Sequence, residues 1–103
     1  MTSRQRAFLK SIAVDLKPIF QIGKDSVTPE NVAVIEEAFH KRELIKISVL
    51  KNCAEDPMNI AEMIAERTRS QVVQVIGKKI VLYRPDKEQP KIILPAANVR
   101  REK

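Results

Sequence analysis

The fold of this chain is decided between residues 19 and 30, which read IFQIGKDSVTPE. The apolar run over 19–22 predicts a short strand, and Gly23 ends it, because glycine can leave a strand at positive φ. Thr28-Pro29-Glu30 then predicts a helix start, with a capping hydroxyl, a proline at the first helical position and an acid in the first turn. A strand that leads directly into a helix predicts the first half of a β-α-β unit.

An amphipathic helix is predicted upstream of this stretch. Ser3 can cap it, and it runs to about Asp15, before Lys17-Pro18 breaks the helical backbone. Arg6 and Lys10 lie four residues apart on one face, and Lys17 extends that line. The buried stripe, at helical spacing, consists of Leu9, Ile12, Ala13 and Leu16.

Helical and strand patterns alternate downstream of Pro29. The predicted elements are a helix with Val32, Ile35 and Phe39 inward, a strand over 44–50, a helix begun by Asp56-Pro57, a hairpin with strands over 72–76 and 80–83, and an edge strand over 91–94. Without that last short strand, the order α-β-α-β-α-β-β contains two β-α-β units, which predict right-handed crossovers and much parallel pairing. We expect a compact two-layer α/β domain with a mixed sheet over residues 1–97 and a basic tail over 98–103.

Positive charge is concentrated at both ends of the chain. The 103 residues carry a net charge of +6, with +3 in residues 1–28 and +5 in residues 78–103, whereas residues 29–56 carry −2. The tripeptide Ile-Gly-Lys occurs twice, at 22–24 and 76–78, and it contains both glycines of the chain. Clustered basic charge is typical of nucleic-acid binding through phosphate neutralisation, and the alternative is a solubilising surface.

Composition argues against several other classes of protein. No apolar run approaches the ~20 residues that span a bilayer, so we expect no membrane association. Cys53 is the single cysteine, which excludes an intrachain disulfide and favours the cytoplasm. His40 has no Cys or His partner in the sequence, so neither a metal site nor a cofactor is expected. No nucleophile with an adjacent base can be identified, and we therefore expect a non-catalytic protein.

Gly23-Lys24 does not belong to a P-loop. That motif has a glycine five residues before its Gly-Lys pair and Ser or Thr after the lysine, where this chain has Pro18 and Asp25.

Separated stretches of the chain match one family in register from about residue 3 to residue 95. They are Leu9-Lys10-Ser11, Leu16-Lys17-Pro18, Phe20-Gln21-Ile22-Gly23-Lys24, Glu36-Glu37-Ala38, Glu43-Leu44-Ile45-Lys46, and Gln74-Val75-Ile76-Gly77-Lys78 running into Val81-Leu82-Tyr83-Arg84. The chain thereby resembles the CRM domain (chloroplast RNA splicing and ribosome maturation), in particular its free-standing bacterial YhbY-type members. The resemblance implies a fold similar to the C-terminal domain of translation initiation factor three. It also implies RNA binding and association with precursors of the large ribosomal subunit.

The family resemblance also implies an RNA-contacting loop. Its Gly-x-x-Gly motif between the first strand and the second helix corresponds here to Gly23-Lys24-Asp25-Ser26. Serine replaces the second glycine, and a serine in a left-handed conformation costs about 1 kcal/mol. Asp25 adds an acid beside the lysine, so the contact at this loop is expected to be weaker or altered.

Nine residues are predicted to bind RNA: Gly23, Lys24, Ser26, Arg6, Lys10, Lys17, Lys78, Lys79 and Arg84. Structural alternatives stay open for most of them. Lys78 and Lys79 fit an exposed hairpin turn, the first-helix cations fit the solvated face of an amphipathic helix, and Arg84 fits a surface salt bridge. Aromatic residues are few, and Phe8, Phe20 and Phe39 sit at core-like positions, so recognition should depend on shape and phosphate rather than on base stacking.

Three functions are consistent with these patterns. The first is a non-catalytic RNA-binding protein that associates with ribosomal RNA in precursors of the large subunit during ribosome assembly. The second is a protein–protein adaptor of ribosome assembly, with Glu30, Glu36 and Glu37 facing a basic partner and the basic surface serving solubility. The third is a DNA-binding domain. The sequence does not predict the oligomeric state, although a monomer is favoured.

Overall fold

The computed structural model describes residues 1–95, so the predicted tail over 98–103 and the domain boundary at residue 97 lie outside the described residues. Within these residues, three helices and a four-stranded mixed sheet occur in the predicted order, which confirms the α/β fold. The elements are α1 (Ser3–Ala13), β1 (Phe20–Ile22), α2 (Pro29–Phe39), β2 (Leu44–Val49), α3 (Pro57–Thr68), β3 (Gln71–Ile76) and β4 (Lys79–Tyr83).

The start of α2 is set by a local cap, as predicted. Thr28 Oγ1 accepts a hydrogen bond from Asn31 N at 3.1 Å, and Asn31 Oδ1 accepts one from Thr28 N at 3.2 Å. This reciprocal arrangement satisfies backbone N–H groups that the first helical turn leaves without partners. The cap therefore fixes the point where the loop after β1 becomes helix.

The bounds predicted for α1 were wrong at both ends. Thr2 caps the helix instead of Ser3, because Thr2 Oγ1 accepts from Gln5 N while Gln5 Oε1 accepts from Thr2 N, both at 3.1 Å. The helix ends at Ala13 rather than near Asp15. Of the phenylalanines predicted for the core, Phe39 is buried and Phe20 half-buried, but Phe8 is exposed on α1.

The strand order is β1-β2-β4-β3, with less parallel pairing than two β-α-β units predict. In the described part of the chain, β1 and β2 are the one parallel pair, whereas β4 pairs antiparallel with both β2 and β3. The hairpin returns β4 into the space between β2 and β3, so the crossover through α3 skips one strand position. A bulge at Val72–Gln74 interrupts the β3–β4 register.

Helices pack against both faces of the sheet. The larger core contains Ile45, Ile47 and Val49 of β2, and α2 and α3 cover this face with residues such as Ile35 and Ile60. The opposite face carries a smaller core, in which α1 contributes Leu9 and Ala13. No helix within residues 1–95 has the length and apolar character to cross a membrane.

The edge strand predicted over 91–94 was wrong. This segment lies against the smaller core through Ile92 and Leu94, but its backbone bonds to a side chain rather than to the sheet. Glu43 Oε1 accepts from Lys91 N at 2.8 Å and Ile92 N at 2.7 Å. Glu43 Oε2 accepts from Asp86 N at 2.6 Å.

The pKa of Glu43 reflects two opposing effects. Burial raises the pKa of this carboxyl, but the three backbone N–H groups that it accepts outweigh burial and hold the pKa below its ordinary value. Burial, together with the Glu43 charge, raises the pKa of Tyr83. Glu43 is therefore ionised when its carboxylate holds the segment that follows β4.

Candidate nucleic-acid interface

Three loops meet at one edge of the sheet, where β1, β2 and β3 end and β4 begins. They comprise residues 23–28 after β1, 50–56 after β2, and 77–78 between β3 and β4. Backbone hydrogen bonds join them, from Leu50 N to Ile22 O at 2.8 Å and from Val49 N to Lys78 O at 2.7 Å. The fold thus brings the two Ile-Gly-Lys tripeptides to the same edge.

Four exposed lysines lie on these loops and at the adjoining start of β4. We call Lys24, Lys51, Lys78 and Lys79 the lysine edge. Since neighbouring strands lie about 4.8 Å apart, the four strand ends span roughly 15 Å. Three carboxylates share the loops, namely Asp25, Glu55 and Asp56, and Glu55 accepts a hydrogen bond from Asn59 at 3.1 Å. The arrangement offers several separated cations to an extended polyanion.

The loop after β1 reverses at Ser26 rather than at Gly23. Ser26 N donates to Gly23 O at 3.0 Å, which closes the turn, and Ser26 has φ 58°, in the left-handed region. The expectation of a positive φ at Gly23 was wrong, because the backbone turns three residues later. A methyl group on Gly23 would lie 3.6 Å from Leu50 Cδ1 and 3.7 Å from Asn52 Oδ1, which are ordinary contacts. The serine therefore occupies the position where the loop geometry favours glycine.

The second tripeptide forms the hairpin turn that the sequence predicts. Ile76 pairs with Lys79, so Gly77 and Lys78 make a two-residue connection. Gly77 has φ 57° while Lys78 has no positive φ, which matches the φ pattern of a type II′ turn. The turn projects Lys78 and Lys79 into solvent beside the loop of residues 50–56.

Both arginines among the predicted RNA-binding residues form hydrogen bonds within the protein. Arg6 Nη1 donates to Val72 O at 2.9 Å and Val73 O at 3.1 Å, which fixes α1 to the bulge of β3. Arg84 Nη1 lies 2.8 Å from Glu36 Oε2 and donates to Thr68 O at 2.9 Å. The guanidinium of Arg84 also lies 4.8 Å from the centre of the Phe39 ring. Arg84 thus forms the salt bridge named as its alternative, and neither arginine lies at the lysine edge.

The other two cations predicted on α1 and after it also lie apart from the edge. Lys10 is half-buried in the last turn of α1, which packs over β2 and β3. Lys17 is exposed three residues before β1, whereas the edge lies beyond the carboxyl end of that strand. The structure therefore groups Gly23, Lys24, Ser26, Lys78 and Lys79, and it separates Arg6, Lys10, Lys17 and Arg84 from them.

Lys51 is the edge residue that the sequence analysis missed. It follows β2 by two residues, and β2 runs parallel to β1. The carboxyl ends of parallel strands meet at one edge, so a cation directly after the second predicted strand was a usable signal.

A groove of 740 Å³ lies at the opposite end of the molecule, beside the ends of α2 and α3. Its wall contains the Arg84–Glu36 pair, together with His40, whose Nε2 lies 3.5 Å from Glu36 Oε2. Helix carboxyl ends carry negative partial charge, while Arg67, Arg69 and Lys87 add positive charge to the lining and Asp86 a negative one. Within residues 1–95, no group of three or more His, Cys, Asp or Glu is arranged to hold a metal ion.

Comparisons with known proteins agree on one family. The model of the CRS1/YhbY (CRM) domain matches residues 1–84. The chain is 50% identical over 95 residues to the "Probable RNA-binding protein YqeI" of Bacillus subtilis, covering 92% of this chain and 99% of the relative. It is 38% identical over 95 residues to an "RNA-binding protein" of Haemophilus influenzae, covering 92% and 95%.

A solved structure has the same fold. The solution structure of the hypothetical protein SAV1595 from Staphylococcus aureus superposes with a TM-score of 0.79 and 44% identity, covering 92% of this chain and 99% of that one. This chain belongs to the CRS1/YhbY (CRM) domain family.

Proposed function

We propose that this protein is a non-catalytic RNA-binding protein and that the lysine edge is its primary contact surface. The observation that carries the proposal is the meeting of the Gly23–Ser26 loop with Lys51, Lys78 and Lys79 at one edge of the sheet. The relatives named as RNA-binding proteins support it, because they cover nearly the whole chain. Exposed lysines bind phosphate as point charges, so the contact should depend little on base sequence.

Salt dependence tests the mechanism directly. Each phosphate neutralised on a single strand contributes about −0.7 to the slope of log affinity against log salt, so four lysines predict a slope of about −3 or steeper. The measurement is fluorescence anisotropy with a labelled single-stranded RNA of about 20 nucleotides. A complex that is insensitive to salt would overturn the mechanism.

Lys24 provides a test within the loop. We expect Lys24→Gln to lower affinity by about fivefold at roughly 0.1 M salt, and to do so alike for RNAs of different sequence. Lys41→Gln, which removes an exposed cation after α2, is the matched control and should leave affinity nearly unchanged. Equal losses in both variants would indicate a general charge effect without a site at the edge.

The finer proposal concerns the RNA. We infer that the bound RNA is ribosomal RNA of the large subunit, in pre-ribosomal particles and in the cytoplasm, on the basis of the similarity to the CRM family. Crosslinking in cells, followed by mapping of the contacted nucleotides, should place crosslinks in large-subunit RNA and enrich them in precursor particles. Crosslinks confined to other RNAs would contradict this assignment and leave RNA binding itself intact.

The adaptor function is retained because one surface of α2 fits it. Glu30 and Glu37 are exposed on this helix, and Val34 lies one turn from each with an exposed fraction of 45%. Glu36 is no longer part of that surface, since it pairs with Arg84. Treating isolated particles with ribonuclease distinguishes the functions, because an adaptor stays with protein partners whereas an RNA-bound protein is released.

A further inference from the structure

Next to the lysine edge, part of the sheet face beside α1 is left uncovered by the other elements within residues 1–95. On this face α1 and residues 92–94 pack against a row formed by Leu44, Val73, Val81 and Tyr83. Closer to the edge, Ser48 is buried with 7% exposure, but the side chains around it stay at least partly accessible, with Ile76 61% exposed and Lys46 half-exposed. We call the following six residues the open face: Gln21, Lys46, Ser48, Gln74, Ile76 and Lys79.

Strand register places these side chains on one side of the sheet. Lys46 pairs with Val81 and Ser48 pairs with Lys79, while the residues between them, such as Ile47, point into the larger core. Lys46 and Lys79 are thus diagonal neighbours, with Cα atoms about 7–8 Å apart. Gln21 pairs with Ser48, and Gln74 pairs with Val81 beyond the bulge of β3.

The chemistry of the open face suits a polyanion. It presents two lysines and two amides around the buried Ser48, and none of its six residues is acidic. The Lys46 stem is partly covered by its neighbours, which is the usual way for a lysine to keep its ammonium in water above a packed surface. Ile76 is the single large apolar residue of the six, whereas the centre of a protein–protein interface is typically apolar and aromatic.

The open face is continuous with the lysine edge. Lys79 belongs to both surfaces, because it is the first residue of β4 and its side chain lies on the α1 side of the sheet. A strand of RNA held at the edge would therefore meet Lys46 next, without crossing a carboxylate of the open face. Side-chain amides can donate to and accept from ribose 2′-hydroxyls and base edges, which are present along such a strand.

We propose that RNA bound at the lysine edge continues across the open face, where Lys46 contacts a further phosphate and Gln21 and Gln74 hydrogen-bond to ribose or base. This inference rests on the proposed function, since it extends the same RNA path. It assigns Lys46 a role in binding, in addition to its place in the central strand β2.

Lys46→Gln is the test, with Lys87→Gln as a control of equal charge at the other end of the sheet, where it is exposed after β4. With a labelled single-stranded RNA of about 20 nucleotides, we expect Lys46→Gln to lower affinity about fivefold at roughly 0.1 M salt and to reduce the salt slope by about 0.7. Lys46→Arg should retain the wild-type affinity and the wild-type salt slope. Thermal unfolding of each variant shows whether the central strand tolerates the change.

The outcomes separate the two proposals. If Lys24→Gln lowers the affinity and slope while Lys46→Gln behaves like Lys87→Gln, the path across the open face is wrong and the edge site stands. If the wild-type protein binds no RNA, the proposed function itself fails. Should Lys46→Gln unfold, the path across the open face still requires a wild-type slope in the folded Lys46→Arg. It also requires a lowered affinity with an unchanged slope in a Gln21→Ala, Gln74→Ala double variant, since these amides are uncharged. An unchanged affinity in that double variant would overturn the path.

Discussion

Ser26 is one of two non-glycine residues with positive φ among residues 1–95, and it lies in the candidate RNA loop. A left-handed conformation costs a non-glycine residue about 1–2 kcal/mol, although glycine also loses more entropy on folding. We predict that Ser26→Gly raises the free energy of unfolding by up to about 1 kcal/mol, measured by urea denaturation. It should also strengthen RNA binding, because removal of the side chain opens the backbone to phosphate.

Arg69 supplies the matched control for Ser26. It caps α3 with φ 57°, close to the value at Ser26, but it lies beside the groove at the opposite end of the molecule. Arg69→Gly should therefore stabilise the fold by a similar amount and leave RNA affinity nearly unchanged. A gain of affinity in both variants would show that stability, rather than the loop, controls binding.

The two glycines of the chain differ in backbone conformation, so replacing each by alanine should have a different cost. Gly77 has φ 57° and no atom within 4 Å of an added methyl group, so strain alone should make Gly77→Ala cost about 1–2 kcal/mol. Gly23 has neither positive φ nor a close neighbour, so we predict that Gly23→Ala changes the free energy of unfolding by less than about 0.5 kcal/mol. A loss of RNA affinity in this stable variant would show that phosphate approaches the backbone of Gly23. Equal destabilisation of both variants in urea would contradict the assigned geometry.

At the level of elements, the Glu43 carboxylate holds the segment after β4 against the smaller core. We predict that Glu43→Gln lowers the free energy of unfolding by roughly 2–3 kcal/mol at neutral pH, because an amide presents one acceptor where three N–H groups converge. Glu37→Gln is the control, since that carboxylate is exposed on α2, and it should change stability by less than about 0.5 kcal/mol. Hydrogen exchange at Lys91 N and Ile92 N reports on the same contact.

The pH dependence of this contact follows from the pKa of Glu43. The folded-state pKa lies below the unfolded value of about 4.3, so the stabilisation is fully present above that value and is lost as pH falls through the folded-state pKa. We therefore predict that the difference in unfolding free energy between the wild type and Glu43→Gln is constant near neutral pH and shrinks below about pH 4. Urea titrations of both proteins at several pH values measure this difference in unfolding free energy. If the difference stayed the same in acid, packing rather than the charge of Glu43 would explain the loss of stability.

At the scale of the whole molecule, local signals predicted the elements and long-range contacts decided the site. Thr28 capped α2 as expected because its partner Asn31 is three residues away. The hydrogen-bond acceptors of Arg6 and Arg84 could not be predicted from the sequence. These acceptors are distant in the chain and become neighbours of the arginines only in the folded protein. The position of β4 could not be predicted in full for the same reason. The hairpin pattern placed β4 beside β3, but its pairing with β2 joins strands that are distant in the sequence.

The placement of charge, rather than its total, should decide RNA binding. The chain carries a net charge of +6, and four exposed lysines form the lysine edge. We predict that changing Lys24, Lys51, Lys78 and Lys79 together to Gln lowers affinity by roughly two to three orders of magnitude at about 0.1 M salt and flattens the salt slope by about 3.

A second variant with the same net charge tests this prediction. Lys41, Arg42, Arg67 and Lys87 are exposed near the ends of α2 and α3 and in the segment after β4. Changing these four to Gln removes an equal charge but no lysine of the edge, so its slope should stay close to the wild-type value. The comparison requires circular dichroism to show that both variants are folded. If the two variants lose affinity equally, binding follows net charge through long-range attraction, and the lysine edge is not a site.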